Sequence, residues 1–501
     1  MLKILPKIFP LFDHLYILQS LEYDLIGFLK WWIKNPLARN LQRKHRLELT
    51  TKAKLLLFLS TLRLIGDVVV LSWLLTDSLL LTPITIIVLA FFSPIYLGLA
   101  QIILLPFDWY QKNKIIRAAE VKISTFKNLK KVAIVGSFAK TSTKEMLYTL
   151  LWKKYRVVKT PKSYNTQLSV ARSVLSDLKD NTEIFLIEMD AYKEGEIDKL
   201  AKMVKPQLAV ITSIAPQHLE RFGSMEKLAK TQFEIAPNLP EDGTLFLNSE
   251  DEWSTKLAQS SKHKAPASTS RRRGEQSVIT YGFNQDDNFC ATDIKQSLEG
   301  LQFNLQLQFL NVVKNQDLIL APNSKLPITL PLFGEHHIIN FLAAASIAHT
   351  LGLTLEEIQQ RALKILPTPH RLEIKKQGQL TIIDNSYNTN PVSSRAALKL
   401  LRDYPGKQKI LITPGLVELG GEQHQVENIK FAKSASQVAD YIIIVGNNAR
   451  EHLLKGLSEA NYPKDKIHLA KTLNDGLSFL NTIAKPDAVV LLENDLPDQY
   501  F

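Results

Sequence analysis

Apolar residues are laid down along this chain in two ways. In the first 115 residues they run together. Residues 55–75 carry only Arg63 and Asp67 as charges, and residues 79–105 carry none. About 20 apolar residues in a helix cover the ~30 Å apolar thickness of a bilayer, so both stretches read as membrane-spanning helices. From about residue 115 the pattern changes to short β-runs alternating with helical periodicity. The runs are 132–135, 184–187 and 208–211, then 380–384, 409–413, 441–445 and 488–492, with helices over 392–401 and 426–438 among the latter. Alternation of this kind predicts an α/β chain. It consists of a phosphate-loop-type central parallel-sheet domain and a second, Rossmann-like α/β domain, preceded by an α-helical membrane hairpin. Ligands are expected at the carboxyl ends of the strands.

Charge refines this picture at the front of the chain. The formal net charge is +12, with basic residues crowding the first quarter. Thr76-Asp77-Ser78, between the two apolar stretches, has no basic residue. Lys52 and Lys54 flank one side, and Lys112, Lys114 and Arg117 the other. The positive-inside rule then gives a multi-pass cell-membrane protein with both ends, and the catalytic part, in the cytoplasm. Arg63 and Asp67 are four apart and share a helix face, so they are expected to pair. Residues 1–36 mix apolar and charged positions in the manner of an interfacial helix and lack a signal-peptide pattern. No nucleic-acid partner is expected: Arg271-Arg272-Arg273 lies in a polar segment, 260–277, without interleaved aromatics, and reads as a flexible loop. Cys290 is the only cysteine, which excludes an intrachain disulfide and a cysteine-based zinc site.

The residues that carry chemistry sit at the ends of the β-runs. After 132–135 come Gly136, Ser137, Phe138, Ala139, Lys140, Thr141 and Ser142, and then a helix. Strand, hydroxyl- and lysine-bearing loop, then helix is an arrangement that holds a nucleotide triphosphate. Backbone N–H groups and the positive helix end face the phosphates, the lysine neutralises charge, and a hydroxyl reaches Mg²⁺. The usual G-x-x-x-x-G-K-[ST] pattern is incomplete, because Ile134 and Ala139 replace its glycines. Glu188 follows the second run and His218 the third. With Thr141 they make a candidate Mg²⁺ cluster, in which the histidine suits a second, softer ion.

Further blocks extend the signal. The chain carries GSFAKTS at 136–142, EMDAY at 188–192, SIAPQHLE at 213–220, GEHHIINFLAAA at 334–345, HRLEI at 370–374, IDNSYNTNP at 383–391 and ELG at 418–420. In this order the blocks resemble the Mur ligases, and within them the branch that adds D-alanyl-D-alanine in peptidoglycan synthesis. The resemblance implies an ATP- and Mg²⁺-dependent ligase that forms an amide through an acyl phosphate. It implies that Gly136–Ser142 cradles the ATP phosphates, with Lys140 on the terminal ones. Thr141 and Glu188 would bind Mg²⁺, and His218 a second ion. His337 and Asn340 would lie by the adenine, Arg371 would reach the γ-phosphate, Asp384 the ribose, and Asn165 would line the reaction centre.

Against the family pattern, Ala139 replaces a glycine, Gln232 stands where a carbamylated lysine is common, and His337 replaces an asparagine. The membrane module stands in place of the usual first domain. The expected domains are residues 1–115 (membrane module), 116–333 (ATP-binding) and 334–501 (C-terminal). The expected partners are a small-molecule or lipid-linked cell-wall precursor, an amine such as a dipeptide, and the membrane. Two alternatives stay open: a membrane-bound ligase for another acidic polymer such as poly-γ-glutamate, and a catalytically weak nucleotide-binding scaffold.

Overall fold

The computed structural model describes residues 11–21, 23–36, 47–74, 89, 91–215, 222–260, 277–297, 299–308, 325–387, 391–417 and 421–494. They fall into two compact units, one within residues 1–114 and the other within 115–495.

The first unit is helical. Leu11–Ser20, Leu25–Lys34, Thr51–Leu74 and the start of Ser93–Thr125 enclose a small core of Leu15, Ile17, Leu18, Phe28, Leu56 and Leu97. Asp24 begins the second helix by accepting a hydrogen bond from Ile26 N–H, which satisfies one of the donors a helix start leaves open. Arg63 and Asp67 do pair, at 3.0 Å. The expected membrane hairpin is not supported. No helix among the described residues is long and apolar enough to cross a membrane, and the multi-pass placement loses its basis. The helix over the first stretch carries Lys52, Lys54, Arg63 and Asp67. Residues 79–88 and 90 of the second stretch lie outside the described residues. From Ser93 that stretch continues as a 33-residue helix through Asp108, Lys112, Lys114 and Arg117 to Thr125.

The second unit holds two sheets. The first contains β1 (Lys130–Val135), β2 (Val157–Lys159), β3 (Ile184–Glu188), β4 (Leu208–Ile211), β5 (Thr244–Asn248), β6 (Ser277–Gly282), β7 (Phe289–Ser297), β8 (Gly300–Leu307) and β9 (Lys325–Leu330). Their order across the sheet is β2-β3-β1-β4-β5-β6-β7-β8-β9. Pairing is parallel from β2 through β7, and antiparallel for β7–β8 and β8–β9. The three β-runs at 132–135, 184–187 and 208–211 are thus the three adjacent strands β3, β1 and β4. The chain leaves β1 to one side for β2 and β3, then crosses to the other for β4. The carboxyl end of β1 therefore lies at a topological switch point, where such sheets leave a crevice.

Strand alternation explains why both faces of β1 are buried. Val132 and Ile134 point into one core, Ala133 and Val135 into the other. On the first face Met146, Leu147 and Leu150 of the helix Lys140–Leu151 share a cluster with Ile338, Phe341 and Leu342 of the helix His336–Thr350. The boundary expected at residue 334 puts this helix with the C-terminal domain. It packs on the first sheet, because its apolar residues complete this core; Phe341 meets Phe303 edge-on at 5.8 Å between centroids.

The second sheet contains β10 (Glu373–Gln377), β11 (Leu380–Asn385), β12 (Gln408–Thr413), β13 (Tyr441–Val445), β14 (Ile467–Ala470) and β15 (Ala488–Glu493), in the order β10-β11-β15-β12-β13-β14. Only β10–β11 is antiparallel. Helices Pro391–Asp403 and Gly421–Ser436 cover the predicted segments 392–401 and 426–438 within a few residues.

Candidate active site

The site is built at the carboxyl ends of β1 and β3. Gly136 leaves β1 with φ of 139°, and a Cβ there would lie 2.2 Å from Thr212 Oγ1, so only glycine fits. The loop is tied to β4 and its neighbours. Ser137 N–H donates to Ser213 O at 2.7 Å, Thr212 Oγ1 donates to Phe138 O at 2.6 Å, and Gly136 N–H donates to Gln232 Oε1 at 3.1 Å. Gln232, where the resembling family often has a carbamylated lysine, is therefore a buried brace for the phosphate loop.

The helix Lys140–Leu151 then starts at Ala139, which has φ of 67° and makes no side-chain capping bond. Its first-turn N–H groups are left for another acceptor, as an anion site requires. The left-handed backbone at Ala139 also accounts for the glycine found there in the resembling pattern. Alanine adopts the conformation here at an energetic cost.

Three cations and three carboxylates are threaded through this end of the sheet. Lys140 Nζ donates to Gly136 O at 2.5 Å and Ser137 O at 3.1 Å, and lies 2.9 Å from Asp190 Oδ2. Lys144, one helical turn later, is fully buried. It lies 2.8 Å from Glu188 Oε2 and also donates to the carbonyl of Lys162. Thr141 Oγ1 is 3.0 and 3.2 Å from the two Glu188 oxygens, and Asn165 Nδ2 is 3.4 Å from Oε1. The third pair, Lys159 with Glu145, lies further out.

Of the residues expected to act together, Lys140, Thr141, Glu188 and Asn165 converge. Phe138 and Ser142 flank them, and Ser142 accepts from Thr368 Oγ1 at 3.3 Å. His218 lies outside the described residues. Thr141 and Glu188 fit a Mg²⁺ ion: both offer oxygen, and a buried carboxylate beside a hydroxyl is the donor set this ion takes.

Arg371 reaches the same region from the segment that precedes β10. Its guanidinium stacks on Tyr387 at 5.1 Å, and Tyr387 Oη lies 2.9 Å from Ser163 Oγ. Burial lowers the Arg371 pKa, opposed by Tyr387 and by the negative charge of Glu188. His336 and His337 lie beside it with their rings tilted by 38° and 4.2 Å between centroids. Burial, reinforced by Arg371, brings the His336 pKa down to about 4. Burial first, then His336 and Arg371, holds His337 well below the ordinary histidine range. Among the described residues, His337 Nδ1, His336 Nδ1 and Arg371 Nε have no hydrogen-bond partner. Asn340 is buried one turn after His337.

Asp384, at the end of β11, is committed to neighbours. It accepts from Ser386 N–H and Oγ at 3.2 and 2.7 Å, and lies 2.8 Å from His370 Nδ1 and 2.9 Å from Lys375 Nζ. Burial raises its pKa, but these bonds outweigh burial and the net shift is downward. His370, Glu373 and Asp384 are close enough to hold a metal. Lys375, 2.9 Å from both carboxylates, already supplies the positive charge there.

Two residues of the site escaped the sequence reading, Lys144 and Asp190. Each had a signal. Lys144 is four residues after Lys140, on the same helix face. Asp190 follows Glu188 by two, where the resembling block reads glycine.

Comparison with known proteins places the same residues in matched family regions. Residues 134–348 match the family model described as Mur ligase middle domain, and residues 370–493 match Mur ligase, glutamate ligase domain. The UDP-N-acetylmuramoyl-tripeptide–D-alanyl-D-alanine ligase of Bacillus subtilis is 31% identical over 291 residues, 58% of this chain and 56% of that protein. The Escherichia coli protein of the same name is 29% identical over 326 residues, 64% and 65% of the two chains. This chain thus spans less than two thirds of the length of either relative. The crystal structure of MurF from Acinetobacter baumannii superposes with a TM-score of 0.65 over 78% of each chain at 24% identity. MurF ligase from Thermotoga maritima in complex with ADP gives 0.63 over 77% and 80% at 23%. The latter two establish the likeness of fold.

Proposed function

Because the chain belongs to the Mur ligase family, we propose that it is an ATP-dependent ligase joining the carboxylate of a muramyl-peptide precursor to D-alanyl-D-alanine or a related amine. Domains over 116–333 and 334–501 make up the ligase in this reading, with the helix His336–Thr350 seated on the sheet of the former. The observation that carries it is the convergence of Lys140, Thr141, Glu188 and Asn165 at the switch point of the sheet.

A carboxylate is a poor acyl donor at neutral pH. Its attack on the γ-phosphorus of ATP makes an acyl phosphate and releases ADP. Attack by the amine then forms the amide and expels phosphate. Little covalent chemistry is asked of the protein. Its work is placement and neutralisation of charge that spreads over the transferring phosphoryl oxygens. Gly136–Ser142 supplies backbone N–H groups to the phosphates. Lys140 and Arg371 bring positive charge from the two domains. Asn165, beside Glu188, faces the substrate side, and Tyr387 keeps Arg371 in place by stacking. Thr141 and Glu188 would hold a Mg²⁺ ion, which would supply Lewis-acid neutralisation of the phosphate oxygens. His337 and Asn340 lie toward the adenine and Asp384 toward the ribose; the latter contact requires Asp384 to exchange one of its present partners.

The test is phosphate release from Mg-ATP by the full chain, with UDP-linked and lipid-linked muramyl tripeptide, with and without D-alanyl-D-alanine. Release that requires both substrates is expected, and the carrier that supports it identifies the acceptor. Nucleotide binding without amine-dependent release from either carrier would overturn the ligase assignment.

A further inference from the structure

Asp190 places a carboxylate against the phosphate-loop lysine. It follows Glu188 by two residues, and its side chain, like that of Lys140, is less than one tenth exposed. It is fixed at several points. Asp190 N–H donates to Asn165 O at 3.0 Å, Asp190 Oδ1 accepts from Ala191 N–H at 2.9 Å, and Oδ2 faces Lys140 Nζ at 2.9 Å. With Gly136 O and Ser137 O, this carboxylate accounts for all three N–H bonds of the ammonium. Lys140 in this arrangement has no donor left for a phosphate.

We infer that Asp190 is a latch on Lys140: it holds the lysine folded onto its own loop, and a nucleotide polyphosphate must displace it to gain the lysine. The inference rests on the nucleotide-binding reading of the site. Two physical effects give it direction. Releasing Lys140 from Asp190 breaks an ion pair that is shielded from water, where such pairs are least screened. Once released, the carboxylate remains beside an incoming polyanion and repels it. Neutralising Asp190 removes both obstacles, whereas removing a residue that merely supported the loop would weaken binding. Asp190 is thus a positioning residue whose loss is expected to tighten nucleotide binding.

The experiment is equilibrium titration of the full chain with a fluorescent ADP analogue in Mg²⁺ buffer, together with thermal unfolding with and without ADP. Wild type is compared with Asp190→Asn, which keeps the shape, and Asp190→Gly, which removes the side chain. We expect the dissociation constant to fall about tenfold in Asp190→Asn, as for loss of one partly screened like charge. The unfolding midpoint without nucleotide should drop while the ADP-induced rise grows. Equal or weaker binding by folded variants would overturn the latch and leave the nucleotide-binding reading intact. Absence of binding by wild type and both variants would overturn that reading, and the latch with it.

Discussion

Around Glu188 the buried charges have partners. Lys144 lies against one carboxylate oxygen, Thr141 and Asn165 bond the carboxylate, and Lys140 is taken up by Asp190 and the loop carbonyls. Around Arg371 the situation is reversed. His336 Nδ1, His337 Nδ1 and Arg371 Nε are buried with no hydrogen-bond partner among the described residues, and both imidazoles are pushed toward neutrality. A buried polar atom without a partner costs about 1–3 kcal/mol, so native proteins keep few of them and often put them where a ligand binds. The difference separates two kinds of readiness. The Glu188 region has its charges satisfied within the chain, so a ligand must displace partners to enter. The Arg371 region holds hydrogen-bonding capacity that the described residues leave unused.

The largest effect that tests this contrast is removal of Lys144. The Lys144–Glu188 pair is almost wholly buried, with side-chain exposures of 0% and 2%. Breaking such a pair leaves an uncompensated charge, and Lys144→Met should cost about 3–5 kcal/mol of stability in urea unfolding. Adding Glu188→Gln should recover much of that loss. Lys375 gives the counterpart in the second sheet. It pairs with Asp384 and Glu373 but is 42% exposed, and Lys375→Met should change stability by no more than ~1 kcal/mol. Equal losses at the two lysines would erase the distinction between the regions.

A smaller effect comes from the Arg371 side and depends on pH. His336 has a pKa of about 4 in the folded chain against an ordinary value of 6.5, and His337 is lowered as well. Between these values the unfolded chain binds more protons than the folded one. The stabilisation is therefore complete above about pH 6.5 and is lost as pH falls toward 4. The slope approaches ~1.4 kcal/mol per pH unit for each histidine. Urea midpoints at pH 7, 6 and 5 should fall more steeply for wild type than for His336→Asn or His337→Asn. Parallel curves would mean that the imidazoles protonate freely, and that the region is wetter than its packing indicates.

Much of the second unit was legible in the sequence for a physical reason. Strands buried on both faces read as unbroken apolar runs, and the seven runs named are all strands of the two sheets, with ends shifted by two residues at most. The residues after those runs were legible too, because an open α/β sheet puts its ligands there. Asp190 and Lys144 were missed because each gains its role from a contact across the fold, Asp190 with Lys140 and Lys144 with Glu188 and the Lys162 carbonyl. The boundary expected at residue 334 separates the helix His336–Thr350 from the sheet on which it packs. Its periodicity shows an apolar face but not which core that face fills. The first 115 residues show the same limit. Hydropathy reports that residues 55–75 avoid water on average, whereas the helix that forms keeps Phe58, Leu62, Ile65 and Val69 exposed and buries Leu56 with the neighbouring helices.

The smallest effect concerns backbone strain, which both regions carry. Ala139 has φ of 67° at the phosphate loop, and His370 and Leu372, on either side of Arg371, have φ of 63° and 49°. A non-glycine residue in the left-handed region costs roughly 1–2 kcal/mol. Glycine relieves that cost but gives the unfolded chain more freedom, worth about 0.4–1 kcal/mol in the opposite direction. At Ala139 only a methyl group is lost, so relief should prevail and Ala139→Gly should stabilise the chain by about 0.5 kcal/mol. At Leu372 the same exchange removes a buried side chain, 2% exposed, and the sign should reverse. Urea unfolding of the two variants reads both signs. A loss of stability in Ala139→Gly would show that the methyl group packs usefully in the loop, and that the alanine at this position is a contribution to the site and not a strain carried within it.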